Sequence, residues 1–238
     1  MIDGGRMFNI NISGLNIGLD NRFAYVERLS KQFRTDNEPL FVVSATDEDI
    51  EAEKSVSETT VSDGYAEGVV LYRKIAEIIP HYDGFVFHGA VLAYDGKAYA
   101  FAARSGTGKT THTSLWLREF GDEVHYLNGD KPIIRFINGV PYACDTPWRG
   151  KEGYGSCEML PLAGIVLLER GETNSAREIP PKDSVIRLIK QIYVPRHVAG
   201  AQMTMRLADR LTGCVRFFEL RCNMDGEAAH VCRRALTS

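Results

Sequence analysis

The rhythm of apolar and polar positions changes partway along the chain. Met7 to Ile17 alternates as a strand or hairpin does, and Arg22 to Phe33 carries Phe23, Val26, Leu29 and Phe33 at helical spacing. Asp47 to Asp63 is acidic and rich in Ser and Thr, which predicts an exposed loop or mobile connector. Gly68 to Ile79, with Val69, Leu71, Tyr72, Ile75 and Ile79 apolar, predicts a helix stopped by Pro80.

From Asp83 onward short strands take over. Phe85 to Ala93 and Lys97 to Ala102 flank Tyr94-Asp95-Gly96, while Pro132 to Ile137 and Val140 to Ala143 flank Asn138-Gly139. Asp-Gly and Asn-Gly signal tight hairpins, because both central residues of such a turn take positive φ. Leu162 to Leu168 is an unbroken apolar run, the pattern of a strand buried on both faces. Helices are predicted at Lys182 to Ile192, Gln202 to Leu211 and Asp225 to Leu236, and there is no internal repeat. The expected fold is therefore α/β (α+β), with mixed, hairpin-rich sheets over residues 83–238 and a small N-terminal α/β lobe over residues 1–82. So many hairpins are not what a doubly wound βαβ sheet produces.

Composition narrows the function classes. A chain of 238 residues, 44% hydrophobic and 25% charged, has the make-up of an ordinary soluble protein. A net charge of −3, with no basic tract beyond Arg233-Arg234, argues against nucleic acid as a partner. Five cysteines without CxxC spacing read as reduced thiols of a cytoplasmic protein and argue against zinc. The polar, glycine-interrupted start resembles neither a signal peptide nor an anchor, so no membrane partner is expected.

The chemistry concentrates in Ala103-Arg104-Ser105-Gly106-Thr107-Gly108-Lys109-Thr110. This fits the phosphate-binding loop in its relaxed form, with an apolar strand (97–102) before it and a helix (110–120) after it, the order that phosphate binding needs. Gly106 and Gly108 let the backbone approach a phosphate, whose charge the loop and helix N–H groups then surround. Lys109 would reach the outer phosphates, and the Thr110 hydroxyl would ligate Mg²⁺. Ser105, Gly106, Thr107, Gly108, Lys109, Thr110 and Thr111 are the expected nucleotide-binding residues. A glycine-rich turn before an ordinary helix is the plainer alternative.

Four segments from Phe87 to Glu169 carry a resemblance to a known family: His88-Gly89, fifteen residues before the loop; Ser105 to Thr111; Leu127-Asn128-Gly129-Asp130-Lys131-Pro132; and Thr146-Pro147-Trp148-Arg149-Gly150-Lys151. In this order they resemble the C-terminal catalytic domain of HPr kinase/phosphorylase and the nucleotide lobe of phosphoenolpyruvate carboxykinases. The resemblance implies that fold, ATP and Mg²⁺ as cofactors, and phosphoryl transfer to a hydroxyl, most plausibly a serine of a protein, a peptide or the free amino acid. It places His88 near the transferred group and makes Asp130, with Thr110, the metal-binding pair. The family carries two consecutive aspartates where this chain has Gly129-Asp130, so one carboxylate is missing. A homo-oligomer is left open, and no feature of the first 82 residues resembles that family's N-terminal domain.

Each candidate has a second reading. His88 is a catalytic residue beside the acceptor, or a core histidine in an apolar strand. Asp130 is a metal ligand or a turn residue. Arg149 and Lys151 bind phosphate from a glycine-rich loop or sit on a solvated surface. Trp148 reads as a packing anchor and His112 as a structural residue, while Arg196 and His197 are distant candidates to reach the site. Ile165 to Glu169 also fits an ordinary ATPase strand ending in a metal-organising acid, with Glu169 in that role. The catalytic set is thus His88, Lys109, Asp130 and Arg149, and the function expected is a Mg²⁺-dependent kinase. A nucleotide-binding sensor or assembly module without transfer activity is the alternative that Gly129 motivates.

Overall fold

The computed structural model describes residues 6–104 and 106–238. The first alternating stretch forms a hairpin, β1 (Arg6–Ile12) with β2 (Leu15–Asn21), antiparallel about Ser13-Gly14. Ile10, Ile12, Leu15, Ile17 and Leu19 are buried, as period-2 alternation requires. Helix α1 (Ala24–Leu29) and a 3₁₀ turn (Lys31–Phe33) share the expected helical stretch, and β3 (Phe41–Ser44) then joins parallel to β2.

The acidic stretch expected as a loop is helical over its first ten residues, and only residues 57–62 form a connector. Helix α2 (Asp47–Val56) opens on a capping box: the Asp49 N–H donates to the Thr46 hydroxyl, and the Thr46 N–H donates to the Asp49 carboxylate. Three acids in its first turn complement the helix dipole, and Ile50 is buried. Asp49 and Glu53 pair with Lys74 and Arg73 of α3 (Asp63–Ile78), so its charge is answered by the neighbouring helix. Helix α3 starts one turn earlier than its apolar spacing suggests, capped by Ser62, and ends in a 3₁₀ turn over Ile79–Tyr82.

The remaining elements are β4 (Gly84–Val86), β5 (Ala90–Tyr94), β6 (Lys97–Ala102), α4 (Lys109–Phe120), β7 (Val124–Asn128), β8 (Ile133–Ile137), β9 (Val140–Cys144), β10 (Met159–Arg170), β11 (Ser175–Ile179), α5 (Pro181–Ile189), α6 (Val198–Cys214), β12 (Arg216–Cys222) and α7 (Glu227–Thr237). Both predicted hairpins form, β5 with β6 and β8 with β9. Strand β10 organises the whole. Its first residues, Met159 to Pro161, pair antiparallel with β9; beyond them it runs parallel to β6 on one side and to β12 on the other. An antiparallel sheet (β4-β8-β9-β10) thus merges along one strand with a mixed one (β7-β5-β6-β10-β12-β11). The fold is mixed α/β, as expected.

Alternation along β10 and β12 divides the core. Ile165, Leu167 and Phe217 face Leu188, Leu207 and Leu211 of α5 and α6, while Val166, Leu168 and Phe218 face Leu115 and Trp116 of α4 and Ala229 of α7. A third cluster joins the N-terminal sheet to Val86, Ile133, Cys144 and Trp148. Among the described residues no helix is long and apolar enough to cross a membrane.

Candidate active site

Strand β6 leads into the glycine loop, and α4 begins at Lys109, the order expected for phosphate binding. Ser105 lies outside the described residues. Gly106 and Gly108 stand at φ +76° and +114°, and a Cβ on either would meet no atom closer than 4.0 Å. Positive φ, with no crowding, is what demands glycine here. The Thr107 N–H closes a turn on the Arg104 carbonyl at 3.0 Å. Arg170, at the end of β10, donates to the carbonyls of both Gly106 and Thr107. Gly108, Lys109, Thr110 and Thr111 line a cleft, so the unpaired N–H groups of the first helical turn open beside it.

Three side chains converge at this helix end. Asn128, the last residue of β7, accepts at Oδ1 from the N–H groups of Asp130 (2.9 Å) and Lys131 (2.8 Å), and this turn aims Asp130 at the glycine loop. Asp130 Oδ1 lies 3.8 Å from Lys109 Nζ and 3.6 Å from His88 Nε2, and its Oδ2 lies 3.1 Å from Lys131 Nζ. Partial burial, then the charge of Lys109, hold the His88 imidazole below its ordinary range. Burial likewise lowers Lys109, against the pull of Asp130.

His88 is not in the middle of a strand. The run from Phe85 to Ala93 breaks into β4 and β5, and His88-Gly89 is the break. Gly89 donates its N–H to the Asp130 carbonyl at 2.9 Å, and a Cβ there would stand 2.6 Å from the Phe101 carbonyl oxygen. The glycine lets two strands close up, and the histidine is left exposed on the cleft.

Behind Asp130 lies a buried carboxylate that sequence reasoning missed. Asp145 accepts from the Asn128 amide (2.7 Å), the Thr146 N–H (2.8 Å), the Cys157 N–H (2.7 Å) and Arg149 Nε (3.0 Å), with Arg149 Nη2 closing a fork. Arg149 borders the cleft, but its guanidinium is committed to Asp145, with further bonds to Gln32 and Cys157. Lys151 is exposed on the cleft wall. Trp148 stacks on Tyr72 at 4.2 Å and donates to the Gly68 carbonyl at 2.9 Å, which is the work of a packing anchor. Gly129 sits under this loop: a Cβ there would lie 3.0 Å from the Arg149 carbonyl oxygen.

Other candidates fall away from the site. Alternation turns Glu169 to the opposite face of the sheet from α4, where it pairs with Arg187 and Arg221, so it does not organise the glycine loop. Arg196 and His197 meet Glu77 instead, and His197 caps α6. His112 is buried, accepts from the Trp116 indole N–H at 3.1 Å, and is pushed down to about 4 by burial.

Among the described residues no group of three or more His, Cys, Asp or Glu could hold a metal alone. Asp130 and Thr110 supply one carboxylate and one hydroxyl. That set fits Mg²⁺ carried in with phosphates, which keeps its waters and needs few protein ligands, and does not fit a resident ion.

The cleft encloses about 1280 Å³. Its wall carries Arg28, Lys31, Arg104, Lys109, Lys131, Arg149 and Lys151 against Asp130 and Glu152, in a chain whose net charge is −3. Positive charge is therefore gathered here, and it focuses the field on an anionic ligand. Tyr25, Arg28 and Leu29 of α1, Lys31 and Gln32 of the 3₁₀ turn and Tyr65 of α3 form part of the wall. Nothing in their spacing marked them as site residues, since only tertiary packing brings them to the loop.

No family model matches the chain, and no curated protein matches it. Among solved structures it is similar to the HPr(Ser) kinase/phosphatase from Coxiella burnetii, at 8% identity and a TM-score of 0.37, with 64% of this chain and 92% of that one covered. A likeness that low supports no functional inference.

Proposed function

We propose that the cleft binds a nucleoside triphosphate with Mg²⁺ and transfers its terminal phosphoryl group to a hydroxyl, in the first instance that of a serine. The observation that carries this reading is the meeting of Lys109, Asp130 and His88 within 4 Å at a glycine-loop helix end. Lys109 and the loop N–H groups, Gly106 to Thr111, bind the phosphates, with Ser105 the remaining expected member of the loop. Asp130 and Thr110 hold Mg²⁺, which supplies charge neutralisation on the phosphates when bound. The acceptor oxygen forms a bond to the terminal phosphorus as the bond to the leaving diphosphate oxygen breaks. The hydroxyl proton passes to His88 Nε2, whose lowered pKa keeps the imidazole neutral and able to accept it at pH 7. Arg149 acts through the cleft wall, holding the 149–155 loop in place against Asp145.

Gly129 favours a second reading, a nucleotide sensor without transfer. The seat beneath Arg149 is tight for any side chain, so the second carboxylate of the resembled family would have to push the 149–155 loop outward. Phosphoryl transfer through a loose transition state rests mainly on positioning and charge neutralisation, so one missing carboxylate does not forbid it.

Calorimetric titration of ATP, GTP and pyrophosphate with Mg²⁺ into wild type and Lys109→Ala tests both readings, followed by turnover with free serine and serine peptides. Binding that Lys109→Ala weakens about 100-fold, with a phosphorylated product, is expected. Binding without product on any acceptor would favour the sensor, and no binding would end both.

A further inference from the structure

The cleft is larger than the roughly 300–1,000 Å³ that houses one drug-sized ligand, and its chemistry divides in two. On one side are the glycine loop, Lys109, Asp130 and Lys131. A second group in the lining is Tyr25, Arg28, Leu29, Lys31 and Tyr65, on α1, the 3₁₀ turn and α3. Arg28 and Lys31 are exposed, and among the described residues neither has a carboxylate within 4.0 Å. Lys109 and Lys131, by contrast, both lie on Asp130. Tyr25 and Tyr65 pack edge to face at 5.8 Å, and Leu29 and Tyr65 are 36% and 43% exposed, a large apolar allowance beside two unanswered cations.

We infer that this N-terminal wall is the acceptor subsite, and that it takes a serine-containing peptide with acidic residues flanking the serine. The inference rests on the kinase reading for its direction, and it adds the class of acceptor and the residues that select it. A peptide backbone lying across Tyr25, Leu29 and Tyr65 buries apolar surface. Acidic side chains on it would meet Arg28 and Lys31, and the serine between them would face His88 and the glycine loop across the cleft. Charge complementarity of this kind mainly sets which partner is accepted.

The test is fluorescence anisotropy of a labelled peptide, one serine flanked by two Asp and two Glu, titrated with wild type and with the Arg28→Glu/Lys31→Glu double variant. Both positions are exposed, so folding is kept, and circular dichroism checks it. A neutral peptide with Asn and Gln in place of the acids, and free serine as competitor, run alongside. Expected are binding of the acidic peptide only, a loss of about tenfold or more in the double variant, and ATP affinity by calorimetry that changes less than the peptide affinity. Equal binding of the acidic and neutral peptides, no binding of either, or a loss confined to ATP affinity would overturn the inference. Because peptide binding is read without turnover, a chain that binds the acidic peptide but makes no product keeps the subsite and fails the kinase reading alone.

Discussion

Two glycine-rich loops line the cleft, and Gly106 in one and Gly155 in the other need the missing side chain for opposite reasons. In the 103–108 loop the glycines stand in open space at positive φ, and the backbone around them is held at its carbonyls by Arg170. In the 149–155 loop, Gly155 is closed in: a Cβ there would meet Arg149 Nε at 2.2 Å and Asp145 Oδ2 at 2.7 Å. The first loop leaves open space on the side where its glycine side chains are missing. The second is fastened at its base by a buried ion pair, while Gly150 to Tyr154 stand exposed. A glycine-rich, cationic sequence does not distinguish the two; what stands within 4 Å of the absent Cβ at Gly106 and at Gly155 does.

The comparison breaks most sharply at Asp145. Asp145→Ala leaves Arg149 largely buried without its partner, and should cost about 3–5 kcal/mol in urea-induced unfolding. A loss below about 1 kcal/mol would show that the second loop is not held by this pair. Acid should act instead on α4, the helix that follows the first loop, through the buried His112. Folded His112 titrates at about 4 and its unfolded form at about 6.5, so the unfolded state takes up the proton first. Stability should therefore fall as pH drops from about 6.5 to about 4, by about 3 kcal/mol, and level off below. His112→Gln should flatten that slope, and an unchanged slope would remove His112 from the account.

Smaller effects sharpen the contrast. Arg170→Ala should weaken triphosphate binding about tenfold by releasing two loop carbonyls, with little change in melting temperature. Gly106→Ala should cost only about 1–2 kcal/mol in stability, the strain of a Cβ at positive φ, whereas Gly155→Ala should cost more, because a locked side chain must move. If the two alanine variants melted alike, the distinction between open and packed loops would fail.

Much of the scaffold was legible in the sequence because its signals are local. The Asp95-Gly96 and Asn138-Gly139 turns, the glycine loop and the helix after it are each set within a few residues. Misread parts depend on distant partners. Helix α2 looked like a connector until Lys74 and Arg73 answered its acids, although Thr46 and Asp49 already spelled a cap. Strands β11 and β12 escaped notice because Arg177 and Glu178 in the one and Arg216, Glu219 and Arg221 in the other interrupt the apolar pattern, and ion pairs from Arg177 and Arg187 answer the buried Glu219. Lys109, Asp130 and His88 could be singled out from motif spacing. Asp145, Arg170 and the Tyr25–Tyr65 wall could not, since each acquires its place only when strands far apart in sequence come together.

The apolar cluster that unites Ile10, Ile17, Leu71 and Ile75 with Val86, Ile133, Cys144 and Trp148 has a consequence for how the chain can be divided. Arg135 adds a bond to the Ser13 carbonyl, and Tyr72 one to the Lys131 carbonyl. Severed near residue 82, either piece would carry a bare hydrophobic face that the other now covers, so neither is expected to serve as a building block to be grafted elsewhere.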